Sequence, residues 1–108
     1  MLTILTQNSS IADDFLAELR DVTIQTDRMR FRKNVERIGE ILAYEVSKHL
    51  PRVSKEVQTP LGTQQVQVLA EQPVLATVLR AGLAMHQGFL NYFNHADNAY
   101  VSAYRKHT

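Results

Sequence analysis

The sequence contains no cysteine among its 108 residues. That absence excludes disulfide bonds, zinc sites built on thiolates and catalysis by a cysteine nucleophile, and it fits a reducing compartment. An excess of charge is missing too, because 12 Lys and Arg stand against 11 Asp and Glu. So weak a net charge gives no reason to expect nucleic acid or an acidic membrane as the partner.

Long apolar runs, repeats and low-complexity tracts are also missing from the sequence. No apolar run is long enough to span a bilayer, and no basic segment precedes an apolar one at the N-terminus. We therefore expect a cytoplasmic protein without a membrane segment. Its length fits a single small domain or a piece of a larger one.

The first half of the chain has the periodicity of helices. Ser10 can cap a first helix, and Asp13 stands where an acidic side chain favours the first turn. A second helix is predicted to begin near Asp27 and to stop before Pro51, because apolar residues recur at steps of three or four between them. Residues 1–50 are thus predicted to form a helical segment.

Residues 52–69 have the alternation of a β-hairpin. Val53 and Val57 alternate with polar residues, "TPLG" supplies a turn at residues 59–62, and Val66 and Val68 resume the pattern. Two interpretations stay open for this hairpin, a solvated surface arm and an arm that contacts a second copy of the chain.

Residues 73–108 are predicted to begin a parallel sheet through a βαβ unit. "VLATVL" is continuously apolar from residue 74 to residue 79, which is typical of a strand covered on both faces. A helix follows Gly82, and residues 98–105 form the next strand. Arg80 then lies at the carboxyl end of the first strand, where open α/β sheets bind their ligands.

Arg80 and Gly82 together indicate an anion site. The N-terminus of a helix presents free N–H groups, glycine leaves the backbone accessible, and the guanidinium of Arg80 suits phosphate oxygens. Arg105 ends the following strand, and parallel pairing would bring it to the same sheet edge. The alternatives are a structural ion pair for Arg80 and a solvated side chain for Arg105.

Several segments, in order along nearly the whole chain, resemble the uracil phosphoribosyltransferase family. The sharpest are "FRKNVERIG" followed by "LAYE", and "LRAG" followed about two dozen residues later by "YR". The resemblance implies a type I phosphoribosyltransferase fold of the α/β class. It also implies a glycosyltransferase that converts uracil and phosphoribosyl pyrophosphate (PRPP) into UMP and pyrophosphate, in pyrimidine salvage.

The resemblance also implies roles for particular residues. Arg80 and Arg105 match arginines that contact PRPP, and Ala81 and Gly82 fall in the pyrophosphate loop. Some relatives respond to GTP as an effector, through residues that match Lys33 and Arg37. The family's Mg²⁺ is held largely by PRPP, so no metal ligands are expected from this chain. The four histidines lack the spacing of metal ligands and are interpreted as surface or packing residues: His49, His86, His95 and His107.

Members of the family are longer than this chain and carry a ribose-phosphate loop and a uracil-binding segment in their second half. Neither segment occurs here, so residues 1–108 resemble the N-terminal half, a partial domain expected to be inactive alone. A homo-oligomer or a companion chain with the missing half is expected to complete it. Two other functions stay open: a type I phosphoribosyltransferase for a different base, and a non-catalytic half-domain that binds phosphates or a partner.

Overall fold

The computed structural model describes residues 4–79 and 82–102, which combine helices, a hairpin and a βαβ unit. In chain order they form a 3-10 turn at Leu5–Gln7, helices α1 (Ile11–Arg20) and α2 (Arg28–Ser47), strands β1 (Arg52–Thr59), β2 (Gly62–Leu69) and β3 (Val74–Leu79), helix α3 (Leu83–Tyr92) and strand β4 (Asp97–Ser102). This order is the mixed α/β arrangement that the sequence predicts.

Side-chain caps fix where α1 and α2 begin. The Ser10 hydroxyl accepts the N–H of Ala12 at 3.1 Å, and the Asp13 carboxylate accepts the N–H of Ser10 at 3.3 Å. Asp27 caps α2 by accepting the N–H of Arg30 at 3.1 Å. Both helix starts are therefore confirmed, because each cap satisfies N–H groups that the helix itself leaves unpaired.

Helices α2 and α3 cross with almost no side chain between them. A Cβ on Gly88 would lie 2.2 Å from the carbonyl oxygen of Glu36 and 2.9 Å from the Cα of Gly39. Next to this crossing, Ala43 of α2 packs with Phe93 and Ala96 in a small buried cluster. Gly39 and Gly88 therefore set the distance between α2 and α3.

The hairpin prediction is confirmed, with β1 antiparallel to β2. Val53 pairs with Val68, and Gly62 closes the turn with a φ of 129°, a backbone conformation that favours glycine. Leu69, at the base, packs against the cluster around Phe93. The division of the chain into segments 1–50, 52–69 and 73–108 of one partial domain stays a prediction.

Strands β3 and β4 are parallel neighbours with α3 on one face. The opposite face is open among the described residues: Val74 is 66% exposed, Val78 50% and Val101 55%. The expectation that β3 is covered on both faces is wrong for this part of the chain. The only helix of this unit, α3, covers one face of the β3–β4 sheet, so the described residues supply no layer for the other face.

Candidate functional site

The β3–α3–β4 unit brings the carboxyl ends of two strands to one edge. Leu79, the last residue of β3, lies opposite Ser102, the last residue of β4. Arg80 directly follows β3 in the chain, and Arg105 follows β4 by three residues. Arg80, Ala81 and Arg105 lie outside the described residues, so their meeting at this edge stays a prediction.

Gly82 is the N-cap of α3 and lies against β3. A Cβ at this position would stand 2.1 Å from Thr77 Oγ1 and 3.0 Å from the carbonyl oxygen of Val78. The N–H of Gly82 donates to that carbonyl at 3.0 Å, so it is not itself free for a ligand. Glycine is therefore needed for the close approach of the helix to the strand, while the N–H groups of the following turn have no side-chain cap from Gly82.

A cavity of about 300 Å³ lies beside Gly82, between β3 and α3. Its walls come from residues 74–77 of the strand and from Gly82, Met85, His86 and Phe89 of the helix. Counted from the N-cap Gly82, these are positions i, i+3, i+4 and i+7, which lie on one face of a helix, so they form one stripe along α3. The cavity is lined mostly by apolar side chains.

His86 is the buried polar residue in this stripe. It is 6% exposed, and its Nε2 atom has no hydrogen-bond partner among the residues that the structure describes. The ring of Tyr100 on β4 lies 5.2 Å from the His86 ring, at a tilt of 52°. The packing interpretation fits His86, whereas His49 and His95 are exposed and His107 lies outside the described residues.

Lys33 lies in a groove of about 360 Å³ that runs from α2 to the first turn of α3. Its ammonium group is 3.6 Å from Glu36, and its side chain is 55% exposed. Leu83 and Ala84, directly after Gly82, line the other side of this groove. An anion held by Lys33 would therefore lie near the segment that carries the predicted pyrophosphate loop.

Arg37 is engaged in holding α1 against α2. Its Nη1 donates to Asn34 Oδ1 at 3.1 Å, and its guanidinium lies 5.3 Å from the centre of the Phe15 ring. Asn34, only 1% exposed, in turn donates to Glu18 Oε2 at 2.9 Å. The structure thus gives Arg37 a packing role, and its effector role stays a prediction.

The same network perturbs the titration of Glu18. The hydrogen bond from Asn34 holds the pKa of the Glu18 carboxyl below its ordinary value of 4.5, opposed by desolvation and helped by Arg30. Arg30 donates to the second Glu18 oxygen at 3.0 Å. The carboxylate is therefore used as a structural acceptor between two helices.

Within residues 4–79 and 82–102, no three His, Asp or Glu side chains come together to hold a metal ion. Among the helices of the same residues, none is long and apolar enough to cross a bilayer.

Sequence reasoning did not single out Asn34, and for His86 it left a surface and a packing position open; the structure buries both side chains. Asn34 sits one turn before Ile38 on the buried side of α2, and His86 falls in the stripe with Met85 and Phe89. Helical spacing alone could have placed both on packed faces. It could not have shown that one is satisfied by Glu18 and the other is not.

Comparison with known proteins gives one consistent family. The family model for uracil phosphoribosyltransferase matches residues 6–108. A uracil phosphoribosyltransferase from Porphyromonas gingivalis is 55% identical over 98 residues, covering 91% of this chain and 45% of that protein. One from Pyrococcus furiosus is 33% identical over 101 residues, covering 92% of this chain and 43% of that protein.

A solved structure shares the fold. The structure of the AQ2163 protein from Aquifex aeolicus matches with a TM-score of 0.74 and 26% identity, over 93% of this chain and 47% of that one. The chain therefore spans about half the length of the relatives that it matches.

Proposed function

This chain belongs to the uracil phosphoribosyltransferase family, and on that premise we propose that it forms the pyrophosphate-binding part of a glycosyltransferase. The reaction is the conversion of uracil and PRPP into UMP and pyrophosphate. The observation that carries the proposal is the parallel β3–α3–β4 unit with Gly82 packed at the start of α3. It supports a phosphate site because strand ends and a helix N-terminus converge there.

In this proposal Arg80 and Arg105 bind the pyrophosphate of PRPP, with the backbone of Ala81 and Gly82 alongside. Transfer at the anomeric carbon passes through a cation-like sugar while charge grows on the departing pyrophosphate. Fixed cationic donors stabilise that charge without a protein nucleophile. Uracil and the ribose 5-phosphate are bound by residues that correspond to the relatives' remaining length.

We also propose that Mg²⁺ binds to the phosphate oxygens of PRPP, as part of the substrate, as the family resemblance implies. GTP regulation through Lys33 and Arg37 is part of the proposal. The groove that joins Lys33 to the first turn of α3 supports it, and the engagement of Arg37 with Asn34 does not.

Two open surfaces support a partner in a complete, cytoplasmic enzyme. The valines on the open face of β3 and β4 would be covered by polypeptide that corresponds to the rest of the relatives. The hairpin, packed against the rest of the molecule at its base, would contact a second copy. The alternative of a non-catalytic half-domain that binds phosphates or a partner stays open.

The test is a uracil-to-UMP assay on the 108-residue chain, alone and mixed with the remaining part of the Porphyromonas gingivalis relative. We expect UMP from the mixture and none above background from the chain alone, because near-attack geometry needs both halves. Arg80→Ala and Arg105→Ala should each lower kcat/KM for PRPP by about 100-fold. Arg20→Ala, an exposed arginine on α1, is the control and should leave the rate unchanged.

The outcomes separate the candidates. A mixture that binds pyrophosphate but makes no UMP supports the half-domain. Transfer to another base, and not to uracil, supports the phosphoribosyltransferase of different specificity. Turnover by the chain alone at the rate of the mixture would overturn the proposal that uracil and the ribose 5-phosphate are bound outside these 108 residues.

A further inference from the structure

One face of β3 meets helix α3, and that face carries a single polar side chain. Positions 75, 77 and 79 of the strand are half-buried, whereas positions 74, 76 and 78 are exposed. Side chains of a strand alternate between its two faces, so the half-buried set lies on the side that α3 covers. Thr77 is the polar member of that set, between Leu75 and Leu79.

The Thr77 hydroxyl occupies the space that a side chain would take at Gly82, the N-cap of α3. Thr77 Oγ1 is the atom nearest to an ideal Cβ at Gly82, and Thr77 Cβ lies 3.5 Å from the same point. Gly82 has a φ of −82°, which any residue adopts, so space and not backbone conformation requires glycine here. Threonine is stiff about χ1 because two heavy atoms branch from its Cβ. The start of α3 is therefore held at a set distance from β3 by one small, fixed atom.

The cross-strand partner of Thr77 makes a second contact with the same helix. Thr77 pairs with Tyr100 of β4, and the Tyr100 ring lies 5.2 Å from the ring of His86. Gly82 and His86 are one helical turn apart, and the N–H of His86 donates to the Gly82 carbonyl at 2.9 Å. The pair thus contacts α3 at two successive turns, which fixes the helix both along and about its axis.

The connection from β3 to α3 is short. Arg80 and Ala81 are the two residues between Leu79, which ends the strand, and Gly82. The N–H of Gly82 also donates to the Val78 carbonyl at 3.0 Å, which joins the strand to the helix start directly. Two residues span a short distance, so a shift of Gly82 has to be taken up by their backbone.

We propose that Thr77 is a positioning residue for the pyrophosphate of PRPP. Its hydroxyl holds Gly82 at a set distance from β3 and thereby places Arg80 and Ala81 against the departing pyrophosphate. This inference rests on the proposed function for the contacts of Arg80 and Ala81 with PRPP. Misplacement of a binding group by about 1 Å can cost about 100-fold in rate, so the loss of one oxygen atom is large enough to measure.

Three substitutions of Thr77 separate the oxygen atom from the rest of the side chain. Thr77→Ser keeps the oxygen, Thr77→Ala leaves a gap in its place, and Thr77→Val puts a larger methyl group there. We expect Ala and Val each to weaken the binding of pyrophosphate to the 108-residue chain about 10-fold, and Ser to stay within about 3-fold of the original. Calorimetry measures this binding. Thr23→Ala, at an exposed threonine of the α1–α2 loop, is the control and should bind like the original chain.

Kinetics of the chain mixed with the remaining part of the Porphyromonas gingivalis relative distinguish positioning from a loss of folded protein. Thr77→Ala should raise KM for PRPP about 10-fold and leave KM for uracil unchanged, because the displaced groups contact pyrophosphate. Partial unfolding would instead lower the apparent kcat and leave both KM values as they were.

A double-mutant cycle with Arg80 tests the route by which Thr77 acts. If Thr77 acts by placing Arg80, then Thr77→Ala should have little further effect in a chain that already carries Arg80→Ala. The same factor of loss in both backgrounds would overturn the proposal. Binding by Thr77→Ala and Thr77→Val equal to the original, or a loss in Thr77→Ser equal to that in Thr77→Ala, would also overturn it.

The UMP assay distinguishes this inference from the proposed function. A mixture that makes UMP at the same KM for PRPP with Thr77→Ala refutes the role of Thr77 and leaves the activity standing. A chain whose pyrophosphate binding depends on Thr77 and Arg80, in a mixture that makes no UMP, supports the positioning role and refutes the activity. Binding of pyrophosphate by neither the chain nor the mixture would overturn both.

Discussion

The absence of a side chain at Gly82 allows α3 to begin close to the carboxyl end of β3. The sequence suggests that glycine is there so that a ligand can approach the backbone. In the structure Thr77 Oγ1 and the carbonyl of Val78 already occupy the space that a Cβ would take. The residue is thus required by the contact between helix and strand, and any role towards pyrophosphate depends on that contact.

We expect Gly82→Ala to lower the free energy of unfolding by about 1–3 kcal/mol, because the added methyl group overpacks a tight site. The clash is largest with Thr77 Oγ1, at 2.1 Å. Adding Thr77→Ala should therefore recover much of the loss, which a double-mutant cycle in urea unfolding measures. Additive losses in the double variant would refute this account of the glycine.

The single residue Glu18 is expected to make the stability of the folded chain depend on pH. Its pKa is lower in the folded chain than its ordinary value of 4.5, first because of the Asn34 hydrogen bond. A lowered pKa contributes stability that is fully present above about 4.5 and is lost as the pH falls through the folded-state value. Glu18→Gln should therefore be less stable than the original chain at neutral pH.

The difference between Glu18→Gln and the original chain should shrink as the pH falls below about 4.5. Urea unfolding at a series of pH values checks this, with exposed Glu56→Gln in the hairpin as the control. A difference that widens on acidification would contradict the sign derived from Asn34 and Arg30.

Among the elements, local signals decided what could be predicted. The caps at Ser10 and Asp27, and the turn at Gly62, act within a few residues of the chain, so the sequence alone locates α1, α2 and the hairpin. The crossing of Gly39 and Gly88 joins residues 49 positions apart, and no local pattern announces it. The open second face of β3 was missed for the same reason, since continuous apolarity does not say which layers are present.

The crossing of α2 and α3 should tolerate no side chain. Gly88→Ala would put a methyl group 2.2 Å from the Glu36 carbonyl oxygen, a backbone atom that cannot rotate away. We expect a loss of about 3 kcal/mol in the free energy of unfolding. Gln87→Ala, the exposed neighbour on α3, is the control and should change it by no more than about 0.5 kcal/mol. Equal effects of the two variants in thermal unfolding would mean that the helices separate at little cost.

At the scale of the whole molecule, the sequence predicts the framework of the candidate site, whereas the anion-binding residues themselves stay untested. Gly82 and the parallel strand ends lie as the sequence suggests, because a βαβ unit has few alternative arrangements. Arg80, Ala81 and Arg105 fall outside the described residues, so the anion site itself stays a prediction. Sequence patterns cannot predict which polypeptide covers the valines of β3 and β4, because apolar residues indicate a contact surface without identifying its partner.

Those valines predict association. Val78 and Val101 lie on one open face, at 50% and 55% exposure. We expect the purified chain to sediment as more than one copy, and Val78→Glu with Val101→Glu to shift it towards the monomer, because a charge on a covered apolar face is unfavourable. Val22→Glu, at a more exposed valine of the α1–α2 loop, is the control and should leave the sedimentation unchanged. A stable monomer of the original chain would refute this expectation.

The hairpin is expected to unfold locally while the rest of the native chain stays folded. Its strand partners are 3 to 17 residues apart, from Thr59 and Gly62 to Arg52 and Leu69, whereas Val74 and Asp97 of the parallel pair are 23 apart. Local pairs that pack on the rest of the molecule at one end can open without disturbing the helices. In native-state hydrogen exchange, amides of β1 and β2 should exchange at rates insensitive to low denaturant, and those of α2 around Gly39 should follow global unfolding. A shared dependence on denaturant would mean that the arm and the helices open as one unit.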